Sequence, residues 1–279
     1  MVPALLDDAG FAGNGDEHMA IDYLERVLNA RVYGGAVETP LEKAQLLSRA
    51  TGNTLLLKRE DLQRTRSFKA RGSFNKIANL APEARARGVI TASSGNHAQG
   101  VAQGAGVMGC RAVIVMPLST PALKVDAVRA LGGEVVQHGV SFQDALALAL
   151  EMAAAEGLTF VHPYDDPDVI AGQGTIGMEI LRQCQDPIEA VFVAIGGGGM
   201  IAGIGSYIKR LRPDTRIIGV HAAGSDAMKR SVAAGERVML ERVSLFADGV
   251  AVRQVGVETF RVAREVVDAF MVIGTDATC

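Results

Sequence analysis

The fold of this 279-residue chain depends on one segment, Thr65-Arg66-Ser67-Phe68-Lys69-Ala70-Arg71-Gly72. It follows an apolar run, 54–58, that is typical of a buried strand. It opens a stretch, 67–80, whose apolar side chains recur at helical spacing, with Ser67 as the expected N-cap. Lys69 then lies in the first turn of a helix, where the macrodipole disfavours a cation. That position favours the uncharged amine, which is the form that attacks a carbonyl carbon, although a lone lysine is more often a solvated surface residue.

Strands and helices alternate along the rest of the chain. The predicted strands cover 89–92, 112–116, 134–138, 159–162, 190–195, 217–220 and 270–273. The predicted helices cover 20–28, 98–108, 121–131, 141–156, 174–183, 200–211, 226–234 and 258–269. Continuous apolar strands separated by helices predict an α/β fold with open parallel sheets and helices on both faces.

Composition excludes several classes of protein. The chain is 48% hydrophobic and 21% charged, which is enough to form a core, and its net charge of −3 makes nucleic acid or an anionic membrane a poor partner. The first 20 residues carry four acidic side chains, so we expect no signal peptide, and no apolar run is long enough to span a membrane. The three cysteines, Cys110, Cys184 and Cys279, have no motif spacing. We therefore expect a soluble cytoplasmic protein without a metal site.

Four consecutive glycines, Gly196, Gly197, Gly198 and Gly199, lie between a predicted strand and a predicted helix that begins at Met200. Residues without Cβ let a ligand approach the backbone closely, and the N–H groups at a helix start attract anions. The run predicts a phosphate cradle, and the alternative is a tight turn that packs strand against helix. It is neither a P-loop nor a dinucleotide fingerprint.

The segment Ser93-Ser94-Gly95-Asn96-His97 holds the corresponding position after the strand 89–92. Its hydroxyls, its carboxamide and its backbone N–H groups at a helix start suit a carboxylate or a ring hydroxyl. Asn96 could bond a ring oxygen and Ser94 could relay a proton, while the alternative is a plain N-cap with a glycine turn.

Other polar residues favour structural interpretations. His162 and His221 sit in or beside apolar strands, and His97 is more typical of a helix-terminal structural histidine than of a base. Asp165-Asp166, before Pro167, indicates a turn.

An amine, a phosphate cradle and a polar pocket would all lie at the carboxyl ends of parallel strands, where open α/β sheets bind ligands. Pyridoxal 5'-phosphate needs that set, because it has an aldehyde, a phosphate and a ring hydroxyl.

At this point the sequence resembles the fold-type II pyridoxal-phosphate enzymes, which share a tryptophan synthase β-like fold, and among them the threonine dehydratases. The similar segments are 58–61, 67–72, 91–100, 170–175 and the glycine run. Two further segments, 245–252 and 258–261, are similar to the biosynthetic branch, which serves isoleucine synthesis. The resemblance implies a lyase that converts L-threonine, and L-serine, to 2-oxobutanoate or pyruvate and ammonia.

The resemblance also implies roles for individual residues. Lys69 would bond the cofactor aldehyde and then act as the base at the substrate Cα, with Ser94 as a further acid or base. Phe68, Asn96, Gly196 to Gly199 and Met200 would contact the cofactor, with Asn96 at the ring oxygen and the glycine run at the phosphate. The substrate carboxylate would be held by Ser93, Ser94, Gly95 and His97.

The same resemblance implies a division of the chain. Residues 1–87 and 167–279 would form a large cofactor-binding domain, and residues 88–166 a small mobile domain that closes over the substrate. The large domain is expected to be incomplete at its carboxyl end, because a segment whose hydroxyl meets the pyridine nitrogen is lacking, and the regulatory domain is also expected to be absent. His221 stands where relatives commonly have an acidic residue. A homodimer or homotetramer is implied as well.

Two alternatives remain open. The chain could be a truncated, catalytically silent cofactor-binding protein, since the pyridine-nitrogen segment is lacking. It could also use the same scaffold as a serine racemase or a β-replacement enzyme.

Overall fold

The computed structural model describes residues 21–278. The helices are α1 (Tyr23–Leu28), α2 (Gln45–Thr51), α3 (Lys69–Ala78), α4 (Pro82–Arg87), α5 (Asn96–Val107), α6 (Ala122–Ala130), α7 (Phe142–Glu156), α8 (Pro167–Gln183), α9 (Gly199–Leu211), α10 (Ala227–Ala234), α11 (Val257–Val266) and α12 (Thr275–Thr278). The strands are β1 (Leu41–Lys43), β2 (Leu56–Lys58), β3 (Val89–Ala92), β4 (Ala112–Met116), β5 (Glu134–Gln137), β6 (Thr159–Phe160), β7 (Ala190–Ala194), β8 (Arg216–Ala222) and β9 (Ala269–Ile273).

Four parallel strands form one sheet, in the spatial order β5-β4-β3-β6. Every residue of β3 and β4 is buried. Ile114 and Met116 pack with the apolar face of α5, whereas Val113 and Val115 pack on the opposite side with α7. Successive side chains of a strand point to opposite faces, so a strand covered on both faces must be apolar throughout. The continuous apolar run of β4 has this cause.

A second parallel sheet contains β7, β8 and β9, with β8 in the centre. Val193 and Ile217 of this sheet pack with Ile204 and Ile208 of α9. Phe192, on the outer strand β7, is 61% exposed. Both sheets are parallel, as the alternation of strands and helices predicts.

The apolar run before the lysine segment departs from the prediction. It forms β2, which pairs antiparallel with β1 in a separate two-stranded sheet. Leu56 and Leu57 are 37% and 47% exposed, so the expectation of a buried strand is wrong. A short apolar run gives no periodicity that separates a buried strand from an edge strand, and the tertiary surroundings decide between them.

Two helices begin at different residues from those predicted. Helix α3 begins at Lys69 with Phe68 as its N-cap, so Ser67 is not the cap. Helix α8 begins at Pro167 and not at 174, because the Asp166 carboxylate accepts the N–H groups of Asp168 and Val169.

The remaining predicted elements lie within a few residues of the observed ones. Ser141 caps α7 with a complete capping box, at the residue where the predicted helix begins. Strand β6 ends at Phe160, so His162 lies in the loop beyond it and not in the strand. The predicted first helix begins at Tyr23, with Asp22 as its N-cap, while Ala20 lies outside the described residues.

Residues 21–278 contain no helix that is long and apolar enough to cross a membrane. Cys110 and Cys184 are free thiols, and Cys279 lies outside the described residues.

A buried ion-pair network joins the lysine segment to α8. The Arg71 side chain has no exposed surface, and its guanidinium donates two hydrogen bonds to Glu60, at 2.8 and 2.7 Å. It donates two more to Glu179, at 2.5 and 2.8 Å, and Lys58 also pairs with Glu179 at 2.6 Å. Burial by itself lowers the pKa of Arg71, but its hydrogen bonds to both carboxylates, and their charges, outweigh burial and raise that pKa. Two cations therefore balance two carboxylates, and the network holds α3 against α8.

Replacement of Arg71 by leucine should strongly destabilise the fold. The change leaves two carboxylates with Lys58 as the remaining cation of the network, and removing one partner of a buried pair costs about 3–5 kcal/mol. Urea unfolding of Arg71→Leu measures the loss. The matched control is Arg111→Leu, because Arg111 forms exposed pairs with Glu134 and Glu156 and should lose less than about 1 kcal/mol. Equal losses in the two variants would contradict this account.

Candidate active site

Lys69 is the first residue of α3. The turn before it contains Arg66, whose φ of 56° makes it the one non-glycine residue with a left-handed backbone between residues 21 and 278. Such conformations cost free energy and cluster at functional sites. The Ser67 hydroxyl accepts the Lys69 N–H at 3.3 Å, so it supports the helix start from inside the turn.

The Lys69 amine is surrounded by protein atoms. Its Nζ donates a hydrogen bond to the Pro163 carbonyl oxygen at 2.6 Å, and it lies 5.4 Å from the centroid of the Phe68 ring. Burial lowers the pKa of Lys69 to about 8, because the charged form loses its hydration. The amine is therefore uncharged in a large fraction of molecules at mildly alkaline pH, as its expected chemistry requires.

Helix α5 packs directly on the lysine. A Cβ added at Gly100 would lie 3.1 Å from the Lys69 carbonyl oxygen and 3.0 Å from the Ser73 hydroxyl. Glycine at this position allows that close approach of the two helices. It brings the start of α5, with the preceding loop, beside the amine.

That loop, 93–97, follows β3 as predicted. The Ser93 hydroxyl accepts the Gly95 N–H at 3.3 Å, and Gly95 is the N-cap of α5 without a side-chain cap. Ser94 and Gly95 are half-buried, whereas the Asn96 side chain is exposed at the helix start. The loop thus presents a carboxamide, two hydroxyls and the N–H groups of a helix start to a ligand.

His97 differs from the other residues of the loop. Its ring is buried, with Nε2 at 2.9 Å from the Val161 carbonyl oxygen and Nδ1 at 3.3 Å from the Ser73 hydroxyl. Burial, with a contribution from the nearby Lys69, lowers the pKa of His97 to about 3. The imidazole is a neutral core group, in line with the structural interpretation of this histidine. The contact of His97 with the substrate stays a prediction, and its backbone N–H is the group left to make it.

The glycine run connects β7 to α9, as predicted. Gly198 has a φ of 99°, and a Cβ there would lie 2.5 Å from the Met228 methyl group. A Cβ at Gly197 would overlap the Tyr164 ring, and one at Gly199 would lie 2.8 Å from the Tyr164 carbonyl oxygen. The backbone is therefore tightly enclosed, and the start of α9 leaves N–H groups without helical acceptors. Met200, in the first turn, packs against the core beneath.

The segment His162-Pro163-Tyr164-Asp165-Asp166 joins the amine to the glycine run. Pro163 contacts the amine through its carbonyl, and Tyr164 covers Gly197 while its hydroxyl donates to the Gln254 carbonyl oxygen at 3.1 Å. Sequence reasoning missed this role. The signal was position, because β6 is parallel to β3 and its carboxyl end must lie at the same edge of the sheet.

The two aspartates of this segment are more than a turn. The Asp165 carboxylate accepts the N–H groups of Val257, Glu258 and Thr259 at the start of α11, at 2.8 to 3.0 Å. Asp166 caps α8 and pairs with Lys76 at 2.8 Å. Each carboxylate lies at the positive end of a helix, so both anchor the segment.

His221 is a core residue, as expected. It has no exposed surface, and its Nδ1–H donates to the Ser225 carbonyl oxygen at 3.0 Å. Burial lowers its pKa, so the ring is neutral. Nε2 lacks a hydrogen-bond partner among the described residues.

These groups form one site at the carboxyl ends of β3, β6 and β7. A sequence-family model, described as pyridoxal-phosphate dependent enzyme, matches residues 32–279. The chain belongs to this family. Its members use pyridoxal 5'-phosphate, and this family also accounts for the α/β architecture.

Two curated relatives of this pyridoxal-phosphate dependent enzyme are named biosynthetic threonine dehydratases. The chain is 58% identical over 261 residues to the L-threonine dehydratase biosynthetic IlvA of Burkholderia multivorans, covering 92% of this chain and 52% of the relative. It is 52% identical over 268 residues to the chloroplastic biosynthetic threonine dehydratase of Arabidopsis thaliana, covering 96% of this chain and 45% of the relative. The chain thus spans about half the length of the curated relatives it matches.

Solved structures confirm the fold-type II class. Threonine deaminase isoform 2 of Solanum lycopersicum, in its processed form, matches with a TM-score of 0.89 and 50% identity, over 91% of this chain and 70% of that one. Maize serine racemase matches with a TM-score of 0.87 and 32% identity, over 91% of this chain and 77% of that one.

The residues of this chain fit the cofactor. A buried amine with a lowered pKa suits the aldehyde. The glycine run, where a Cβ at each of the four positions would meet a neighbour closer than ordinary van der Waals contact, suits a phosphate against the backbone. Within residues 21–278, no group of three His, Cys, Asp or Glu side chains could hold a metal ion.

Removal of the Lys69 amine should stabilise the cofactor-free chain at neutral pH. The folded pKa lies below the unfolded one, so the unfolded chain binds the proton more tightly. The charge therefore costs its full amount of stability below about pH 8, and this cost disappears as the pH rises from there toward the unfolded pKa. Lys69→Met should raise the free energy of unfolding at pH 7 by on the order of 2 kcal/mol, and the gain should shrink as the pH rises toward 10. Urea unfolding at both pH values measures it.

The control for this change is Lys229→Met, because Lys229 is exposed on α10. It should alter stability by less than about 0.5 kcal/mol at either pH. A pH-independent effect of Lys69→Met would contradict a buried amine.

A methyl group at Gly197 should disturb the cradle. Because the added Cβ overlaps the Tyr164 ring, Gly197→Ala should cost about 1–3 kcal/mol of stability and weaken the binding of pyridoxal phosphate. Thermal unfolding and titration of the cofactor absorbance measure both effects. Gly274→Ala is the control, since a Cβ there meets nothing within 4 Å, and similar losses in both variants would contradict the packing described.

Proposed function

We propose that this chain catalyses the pyridoxal-phosphate dependent dehydration and deamination of L-threonine to 2-oxobutanoate and ammonia, and of L-serine to pyruvate and ammonia. This reaction is the first step of isoleucine biosynthesis. The names of the Burkholderia and Arabidopsis relatives support the substrate, although the chain spans only about half of each. The observation that carries the proposal is the Lys69 amine, buried at a helix start with its pKa lowered to about 8.

The cofactor, when bound, supplies an aldehyde that bonds an amine and a conjugated ring that makes the substrate Cα–H acidic. The protein supplies the binding groups and the proton transfers. Within residues 21–278, Lys69 is the amine that lies buried at the site, so its Nζ would bond the cofactor aldehyde and later take the Cα proton.

Two helix starts are proposed to bind the cofactor, that of α9 at its phosphate and that of α5 at its ring. The N–H groups of 196–200 would hold the phosphate, where the positive end of α9 favours an anion. The exposed carboxamide of Asn96 would contact the ring oxygen, and Phe68 packs beside the amine. These roles follow from position and donor chemistry.

The substrate carboxylate suits the start of α5. The backbone N–H groups of 94–97 and the Ser93 and Ser94 hydroxyls provide donors there. Ser94 is the candidate acid or base for the β-hydroxyl, because its hydroxyl lies in the same half-buried loop.

Three further properties belong to the proposal. Segment 88–166 is proposed to close over the substrate. A homodimer or homotetramer is the proposed assembly, and the cytoplasm is the proposed compartment.

Racemisation of serine is the second candidate, because maize serine racemase has 32% identity and a TM-score of 0.87. Both reactions begin with removal of the Cα proton by the lysine, and they differ in where the next proton goes. Chiral analysis of serine after incubation with the chain separates them: D-serine without pyruvate would favour the racemase.

Lys69→Ala should abolish the function. The variant lacks the amine that bonds the cofactor, so the purified protein should lose the visible absorbance of bound pyridoxal phosphate and should release no 2-oxobutanoate from L-threonine. Wild-type protein, mixed with pyridoxal phosphate and then with L-threonine, should show an absorbance change and product.

Other results would overturn the proposal. Ketoacid production by Lys69→Ala would exclude Lys69 as the essential base. Wild-type protein that binds the cofactor but forms no product would favour the silent-chain alternative, and recovery of turnover when a relative's remaining segment is appended would confirm that alternative.

A further inference from the structure

The carbonyl group that contacts the Lys69 amine belongs to a short turn, 162–165. Pro163 lies within this turn, and its carbonyl oxygen accepts from Lys69 Nζ at 2.6 Å. A proline has no N–H and a restricted φ, so the direction of the Pro163 carbonyl depends on the orientation of the peptide group that it forms with Tyr164. The hydrogen bonds that fix the peptide groups after Pro163 therefore decide where the carbonyl points.

His162 holds them. Its Nδ1 accepts the Tyr164 N–H at 3.2 Å and the Asp165 N–H at 2.7 Å. A nitrogen that accepts two hydrogen bonds carries no proton, so the ring proton is on Nε2 and the imidazole is neutral. The ring also meets Tyr164 edge to face, with 4.6 Å between centroids.

The other end of the turn is fixed as well. Asp165 holds the start of α11 through three backbone N–H groups. Thr259 in that helix donates from its hydroxyl to the Gly197 carbonyl oxygen at 2.7 Å. A continuous chain of hydrogen bonds thus runs from His162 through the turn to the glycine run.

We propose that His162 is a positioning residue: by accepting both backbone N–H groups at Nδ1, it fixes the turn that directs the Pro163 carbonyl at the Lys69 amine. This arrangement keeps the amine inside the protein and in one orientation. Neither the family match nor the names of the relatives assign this role to any residue.

Several titratable groups surround this arrangement. Lys69 comes from α3, His97 from α5, and Asp165, Asp166 and Tyr164 from the turn itself and its continuation. Burial lowers the pKa of His162 to about 4, while the two aspartates oppose that shift and Lys69 adds to it. His162 is therefore neutral throughout the pH range in which Lys69 titrates, and it acts through geometry.

Two substitutions of His162 by an amide residue distinguish the role of Nδ1 from that of Nε2. In His162→Asn, the side-chain oxygen can occupy the position of Nδ1 and accept the same N–H groups, whereas in His162→Gln the amide reaches the position of Nε2. The experiment uses the cofactor-free chain, whose amines are labelled competitively with acetic anhydride at a series of pH values. Mass spectrometry of the peptide that contains Lys69 gives the pH midpoint of its labelling.

The proposal expects a midpoint near pH 8 for wild-type protein and for His162→Asn. In His162→Gln the turn loosens, the amine gains water, and the midpoint should rise by at least one pH unit, which reduces the uncharged fraction at pH 8 about fivefold. Unchanged midpoints in both variants would overturn the proposal. Equal rises in both would also overturn it, because Nδ1 would then not be the atom that matters.

A measurement on wild-type protein guards against variants that fail to fold. Nitrogen-15 NMR of the imidazoles should show His162 as the neutral Nε2–H form from pH 6 to pH 9, and a proton on Nδ1 would overturn the proposal.

The inference rests on the proposed role of Lys69 but is tested without cofactor or substrate. Failure of threonine turnover with the expected labelling would reject the function alone, and normal turnover with unchanged labelling would reject this inference alone.

Discussion

The burial of the Arg71 guanidinium between two carboxylates is the constraint on which the site depends. Charges inside a protein lose their hydration, and they are tolerated only when paired and hydrogen-bonded. Arg71 therefore requires Glu60 and Glu179, and Lys58 balances the second carboxylate. These partners come from two different parts of the chain, 58–60 and α8, so pairing their charges with Arg71 fixes the start of α3 against α8. Lys69 is the first residue of α3.

The site itself is built mainly from backbone groups at helix starts. Helices α5 and α9 direct N–H groups toward it, and the carboxylates of Asp165 and Asp166 cap two further helices behind it. Glycine is needed where these starts crowd one another, as at Gly197 beneath the Tyr164 ring. An anion is bound in such a site by many fixed dipoles, which need no reorganisation when the ligand arrives.

Much of the site was predictable because it follows local patterns. Lys69, the loop 93–97 and the glycine run all stand between an apolar strand and a helix, and parallel strands bring such loops to one edge. The roles of His162 and Tyr164 at the site were not predicted, because β6 is only two residues long and the turn after it has no helical or strand periodicity. The ring of His97 was expected to be structural, but its partners, Val161 and Ser73, could not be predicted, since position along a helix start does not tell which side chains turn inward.

The sequence by itself determined the parallel sheets, the covering helices and the order of the loops, because burial on both faces demands apolar strands and helix starts demand capping residues. Only the tertiary structure decided that β2 is an exposed edge strand, that the His97 ring is enclosed beside Val161 and Ser73, and that burial lowers the pKa of the Lys69 amine. These three properties depend on how much water reaches a group. Exposure to water is set by contacts between residues far apart in the chain, such as Pro163 with Lys69, which no local pattern records.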